Sequence, residues 1–481
     1  MVELLCDTPV SPGLLTDLYH PDAAYVAWRA GRLDLTTFDL YVRRAPFGGA
    51  YLLVAGLEGA LKFISAFRYS DADLRYLAQV RDYHPDFLAY LRHLRFSGEV
   101  LAMPEGSIAF PNEPLLRVTA PFPEALLIES GVLQAINLAT LIATKAARVT
   151  TAARGRPVAE FAFRRAQAPF TVARSAYIGG CVSTSFVAAA ERYRLRATGT
   201  IPHALVQLFE DEADAFRAVA ETYNRYTILL DTYEVRRAIH TVIEVARDAQ
   251  ERLGHTLAAV RLDSGDLLAD SRYVRQALDD AGLHETRVLA SGDLDEFVIA
   301  DLLAQGAPID GFGVGTRLGV GAGSVEHGVE GGALGGVYKE VLYVDQAGVE
   351  HARIKLAGEK STWPGKKEVY RIGNFEYDLV QLADEPRPPG GTRLLKPVMR
   401  DGDVLPGSLP PLSEIWEYAQ QNLRALPDEW KALRVERPYP VKFSERLQDL
   451  RRRAAEAVGG AGHLSSPQAP EQERSPAAPA A

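Results

Sequence analysis

Leu257-Ala258-Ala259-Val260-Arg261-Leu262-Asp263-Ser264-Gly265-Asp266 is the stretch whose reading decides the fold. An apolar run ends at Asp263, a Ser-Gly-Asp turn follows, and residues 266–281 continue with the spacing of an amphipathic helix. A short apolar run bounded by turn residues reads as a buried strand, and a strand that passes straight into a helix is half of a parallel βα unit. Ser and Asp at the junction suit a helix cap, and Gly lets the chain turn. The same four residues recur: Ser264-Gly265-Asp266-Leu267 returns as Ser291-Gly292-Asp293-Leu294, an offset of 27 (291 − 264). Capping explains one copy. Two copies, each between an apolar run and a helical segment, point to a repeated architecture.

Outward from this turn, apolar runs stand at 157–163, 196–200, 226–231, 257–263, 286–290 and 309–314. Amphipathic segments at 212–223, 233–252, 266–281 and 294–305 fill the gaps. The alternation, with a period of roughly 25–30 residues, predicts an α/β fold: an incomplete or irregular (β/α) barrel over 156–335. Residues 1–155 read as an N-terminal α+β domain. There 37–42 alternates as a half-buried strand, 97–123 carries Pro and Gly between β-rich runs, and 124–153 is helical with a break expected at Gly131. After residue 333, segments 337–344, 352–356 and 367–372 read as antiparallel strands, expected to share barrel closure and a smaller β layer. Residues 336–457 form a small C-terminal β-rich and helical addition packing on the first two regions, and 411–455 is polar and helical. The tail 458–481, rich in Ala, Pro, Gly and Ser, is expected to be disordered.

Composition excludes several functions. Among 481 residues, 53 basic groups face 62 acidic ones, and no long basic run offers a surface for nucleic acid. Arg451, Arg452 and Arg453 fall on a surface helix and read as a solvated face. Two cysteines, Cys6 and Cys181, cannot build a disulfide framework or a cysteine zinc site, which fits a reducing cytosol. The start of the chain lacks a basic n-region and a long apolar run. Residues 125–143, interrupted by Glu129, Gln134 and Asn137, read as a buried helix rather than a membrane span. A cytoplasmic protein is expected.

The strand ends carry the chemistry. Arg164 and Arg165 follow the first run and His203 the second; the third ends at Asp231, the fourth at Asp263, the fifth just before Asp293. The sixth opens into Gly311-Phe312-Gly313-Val314-Gly315-Thr316. In a barrel all of these share the C-terminal rim, where such enzymes keep their active sites. Gly313 and Gly315 let backbone N–H groups approach a phosphate. Asp263 and Asp293 suit sugar hydroxyls. Asp231 or Asp266 suits magnesium, which takes one or two carboxylates plus substrate phosphates, and Asp266 reads equally as a cap. A carboxylate beside an anomeric carbon would stabilise an oxocarbenium-like transition state. Arg164 and Arg165, taken as neighbours on the first strand, should point one into the barrel and one out, and an arginine fork suits carboxylate or phosphate. The imidazole of His203 is a general base, a metal ligand or a phosphate acceptor, and spacing does not choose. None of the six runs contains lysine, which argues against a Schiff-base aldolase.

Taken in order, Leu14-Leu15-Thr16-Asp17-Leu18-Tyr19, Pro104-Glu105-Gly106, Ala143-Thr144-Lys145-Ala146-Ala147-Arg148, Phe163-Arg164-Arg165-Ala166-Gln167, Gly199-Thr200 to His203, Asp231-Thr232-Tyr233, Arg261 to Asp266, Ser291-Gly292-Asp293, Gly311 to Thr316 and Leu334 to Lys339 resemble the nicotinate phosphoribosyltransferases. The matches extend between residues 14 and 400, an ordered coverage more specific than any one motif. The resemblance implies transfer of the phosphoribosyl group of phosphoribosyl pyrophosphate to nicotinate, the first step of NAD salvage from nicotinate. It implies ATP as co-substrate, hydrolysed through a phosphohistidine at His203, and magnesium with the pyrophosphate. Tyr19 resembles the aromatic residue that stacks on the pyridine ring from a partner subunit, which implies a homodimer with its site at the interface. Phe163, Arg164 and Arg165 match the ligand-binding turn. Arg261 matches a phosphate or base site, Asp263 and Asp293 ribose ligands, and Gly313, Gly315 and Thr316 the phosphate cradle. Thr200, Asp231, Ser291 and Gly292 lie in the same substrate motifs. The chain departs from the family pattern at His20, Ala162, Ala168, Phe186 and Ala204, which bears on fine substrate positioning. A nicotinamide- or quinolinate-using transferase, or a degenerate nucleotide-sensing paralogue, is the competing reading. Against the last, His203, Arg261, Asp263 and Asp293 all remain.

Overall fold

A computed structural model describes residues 11–356 and 361–459. Cys6, the opening residues and nearly all of the expected tail lie outside the described residues. Six parallel strands form one sheet in the order Ser183–Thr184, Val158–Glu160, Gly311–Val314, Arg287–Ala290, Thr256–Leu262, Arg225–Leu229. Joined in a ring, these would follow chain order; the ring is open between Ser183–Thr184 and Arg225–Leu229. The sheet is therefore a partial barrel, as the alternation predicts. The helices Glu212–Thr222, Val235–Leu253, Leu267–Asp280 and Glu296–Ala304 match the expected segments to within two residues at each end.

The run at 196–200 is not a strand. Only Ala197 bridges to Thr184, at the open edge, and the short strand Ser183–Thr184 takes the place beside Val158–Glu160. Gly199 and Pro202 explain this, because neither supports a continuous ladder. The break in the long helical stretch comes at Ile128, between Phe122–Leu127 and Glu129–Ala152, and not at Gly131. Gly131 stays helical under the ring of Phe63; a Cβ there would lie 2.3 Å from that ring.

A second, seven-stranded sheet runs Glu350–Ala352, Gly336–Val344, Leu35–Val42, Pro114–Pro121, Glu99–Ala102, Lys396–Arg400, Asp403–Val404. Strands after residue 333 thus return to the N-terminal sheet, antiparallel to Leu35–Val42, instead of closing the barrel. Between these partners Leu35–Val42 is buried on both faces from Thr36 onward, so its alternation does not mark a half-exposed strand. Asp39 on this strand meets buried Lys367 at 2.8 Å. The strand expected at 352–356 is Glu350–Ala352. A four-stranded sheet, Thr392–Arg393, Lys367–Ile372, Tyr377–Leu382 and Val441–Phe443, completes the β structure beside the helices Leu412–Ala425 and Glu445–Ala457. Arg452 and Arg453 are exposed on the last helix, but Arg451 is half-buried, its guanidinium 4.3 Å from the Trp363 ring centre. Among the described residues no helix is long and apolar enough to cross a membrane.

Candidate active site

The strand Thr256–Leu262 delivers Arg261 and Asp263 to the rim. The Arg261 guanidinium donates to Ser291 Oγ (2.8 Å) and Thr200 Oγ1 (2.5 Å), and pairs with Asp263 Oδ1 at 2.8 Å. Ser291 donates in turn to Asp263 Oδ1 (2.5 Å). On its other side, Asp263 Oδ2 lies 3.8 Å from His203 Nε2, and His203 Nδ1 is 3.1 Å from the Thr232 hydroxyl. Asp231 Oδ2 accepts from the Asp263 backbone N–H (3.1 Å) and Ser264 Oγ (2.5 Å). Residues from four separate stretches of chain therefore meet in one network, and Thr232 and Ser264 join it beyond those foreseen. Burial alone would push the Asp263 carboxyl up. Hydrogen bonds from Ser291 and Arg261, with the positive charge of Arg261, outweigh it and hold the group below the usual aspartate range. Asp263 is thus a half-buried carboxylate held in its ionised form.

The two Ser-Gly-Asp-Leu turns differ. Asp266 caps the helix Leu267–Asp280, accepting from Ala269 N–H at 3.0 Å, and its other neighbours leave it exposed. In the second copy Asp295 is the cap, accepting from Phe297 and Val298 N–H. Asp293 is released from capping and stands exposed at φ +21°. Gly292 beside it has φ +83°, and a Cβ there would lie 1.9 Å from the Asp263 carbonyl oxygen. Only glycine permits this approach.

Arg164 and Arg165 are not on the barrel strand. Val158–Glu160 ends before them, and Phe163, Arg164 and Arg165 occupy an exposed turn. The reason is Glu160: its buried carboxylate accepts from Ala162 N–H and from Thr184 Oγ1, bending the chain off the sheet. Phe163 stacks on Phe186, with ring centres 4.1 Å apart and planes 13° apart, so the departure at Phe186 supports this turn. Ala162 is accommodated by Gly319, where a Cβ would come within 2.3 Å of the alanine methyl. Phe161 is a site residue that sequence reading missed. Its ring fills the space a Cβ on Gly313 would occupy, 2.4 Å away, and lies 6.0 Å from the Arg261 guanidinium. The glycine at 313, on the adjoining strand, was the available signal. Gly315 precedes the short helix Thr316–Gly319, with Thr316 exposed. Tyr19 is 60% exposed at the start of the helix Tyr19–Arg29 and touches His20, whose buried imidazole bonds Thr16 (3.0 Å). Neither contact belongs to the rim network. Within one chain the structure thus gathers Thr200, His203, Asp231, Arg261, Asp263 and Ser291, seats Gly292 on Asp263, and leaves Tyr19 apart.

A nicotinate phosphoribosyltransferase of Mycobacterium tuberculosis is 41% identical over 443 residues, covering 90% of this chain and 92% of that protein. This chain belongs to the nicotinate phosphoribosyltransferase family. The family's N-terminal domain model matches residues 14–137 and its C-terminal domain model residues 391–451. A nicotinate phosphoribosyltransferase of Bacillus subtilis is 39% identical across 90% of this chain and 93% of its own length. The crystal structure of human nicotinic acid phosphoribosyltransferase superposes with a TM-score of 0.78 at 32% identity, covering 91% of this chain and 99% of that one. The rim network lies between the two segments matched by the domain models, but within the length that these relatives cover.

Proposed function

We propose that this chain transfers the phosphoribosyl group of phosphoribosyl pyrophosphate to nicotinate, with coupled ATP hydrolysis, making nicotinate mononucleotide and pyrophosphate. The observation that carries this reading is the single network Thr232–His203–Asp263–Arg261–Ser291 at the open ends of the barrel strands. The bond from ribose C1′ to the pyrophosphate oxygen breaks, and the pyridine nitrogen forms the new bond to C1′. Positive charge develops on the ribose as pyrophosphate leaves. Asp263, kept ionised, stabilises it. Asp293, free of capping, is the second ribose ligand. Arg164 and Arg165 offer forks for the nicotinate carboxylate or a phosphate. The Gly313 to Thr316 backbone, narrowed by Phe161, receives the 5′-phosphate. With the Nδ1 proton of His203 donated to Thr232, the Nε2 lone pair is the atom that accepts the phosphoryl group of ATP.

Asp231 fits a magnesium contact better than Asp266: its Oδ1 is buried without a hydrogen-bond partner, whereas Asp266 is occupied as a cap. Magnesium would neutralise the departing pyrophosphate. Tyr19, exposed and with its ring contact outside its own chain's network, is read as completing the site of a second subunit in a homodimer of cytoplasmic location. The test is turnover of nicotinate, nicotinamide and quinolinate, with and without ATP, in the unsubstituted protein and His203→Ala. Nicotinate turnover should be ATP-stimulated, and the variant should keep weak ATP-independent transfer. No mononucleotide from nicotinate would overturn the reaction; ATP stimulation retained by the variant would overturn the role of His203.

A further inference from the structure

The helix Glu296–Ala304 begins three residues after Asp293, and its first turn is pinned by residues distant in sequence. Glu296, fully buried, pairs with Lys145 Nζ (2.5 Å) and Arg148 Nε (3.0 Å), both buried on the long helix Glu129–Ala152. Arg148 also donates to the carbonyl oxygens of Phe47 (3.1 Å) and Leu433 (2.9 Å), so its guanidinium is held from three directions. Lys145 lies 4.8 Å from the Phe47 ring centre. Asp295, also buried, adds a second carboxylate at the same helix start. Apolar residues would hold two helices together with less desolvation. Ions placed here hold a direction instead.

The neighbouring backbone shows which geometry needs holding. Gly292 and Asp293 are consecutive positive-φ residues, and Asp293 is not glycine. Such a conformation persists only where its flanks impose it. On one flank Ser291 is tied through its N–H to the Leu262 carbonyl (2.8 Å) and through its side chain to Arg261 and Asp263. On the other flank stand the Asp295 cap and the Glu296 ion pairs. The Ala143 to Arg148 motif, which has no place in the rim chemistry, supplies both cations.

We propose that Lys145 and Arg148, acting through Glu296, are positioning residues for the Gly292-Asp293 turn, and so set how tightly the site holds the ribose of phosphoribosyl pyrophosphate without touching it. This rests on the reading of Asp293 as a ribose ligand. Lys145→Met tests it, because the side chain keeps its bulk and Glu296 stays paired with Arg148. The control is Lys367→Met, which removes the cation of the buried Asp39–Lys367 pair between the seven-stranded and four-stranded sheets. Lys145→Met should raise KM for phosphoribosyl pyrophosphate about tenfold, the effect of one weakened charge-assisted hydrogen bond, with kcat and the nicotinate KM within about twofold. Deuterium exchange across 291–298 should quicken. The control should lose thermal stability without the KM shift. An unchanged KM for phosphoribosyl pyrophosphate in Lys145→Met, or an equal rise in the control, overturns the proposal. If Lys145→Met does not fold, Lys145→Gln, which also removes the cation, is read the same way. If the unsubstituted protein makes no mononucleotide, the proposed reaction fails by itself. The exchange measurement then decides the clamp: unchanged exchange across 291–298 overturns it.

Discussion

Ser264-Gly265-Asp266-Leu267 and Ser291-Gly292-Asp293-Leu294 have the same residues and the same place between strand and helix, yet they do different work. In the first, the aspartate caps its own helix. In the second, Asp295 caps two residues later, and Asp293 stands free over the rim. The two glycines differ as well. A Cβ on Gly265 (φ +79°) would stand 3.2 Å from the Asp270 carboxylate, whereas Gly292 lies against the Asp263 carbonyl. A cap is a local solution open to any Asp at a helix start. A free aspartate in a strained turn requires a second cap nearby and support from elsewhere. The copy whose capping duty has moved is the one proposed to bind ribose.

Substitutions made in pairs at these turns would break or sharpen the contrast. The largest difference belongs to the glycines. Gly292→Ala should destabilise the protein by about 3 kcal/mol or more, through overpacking and strained φ, and abolish turnover; Gly265→Ala should cost ~1 kcal/mol and leave turnover in place. Melting temperature and kcat of both variants decide this, and similar losses would end the distinction. The aspartates come next. Asp293→Ala should leave stability nearly unchanged but raise KM for phosphoribosyl pyrophosphate about tenfold, whereas Asp266→Ala should lose about 1 kcal/mol of stability with its kinetics intact. Reversed phenotypes would mean that Asp266 is the binding copy. The smallest effect concerns pH. Asp263 is held below the usual aspartate range, so its charge is present above that range and is lost as pH falls through the lowered value. Ser291→Ala removes one of the bonds that lower it, so the acid limb of kcat/KM should move to higher pH, while Ser264→Ala, whose bond goes to Asp231, should not move it.

Much of this was legible. Strand and helix segments from 212 to 314 follow from apolar runs and amphipathic spacing, because these patterns report burial of nearby residues. Polar strand ends pointed to His203, Asp231 and Asp263, the family resemblance added Arg261, and the structure brings these together. Arg164 and Arg165 were misplaced on a strand because the bend depends on Glu160 reaching Thr184, a contact outside any local window. Phe161 was passed over because an aromatic residue in an apolar run looks like core until the glycine opposite it is known.

Residue type and spacing along the chain were enough to give the alternation of strand and helix, the polar rim and the family. Tertiary structure decided where the barrel stays open, that strands after residue 333 join the N-terminal sheet, and which aspartate caps and which stands free. Those outcomes are competitions between distant groups for one hydrogen-bond partner or one sheet edge, and local pattern holds no record of the competitor.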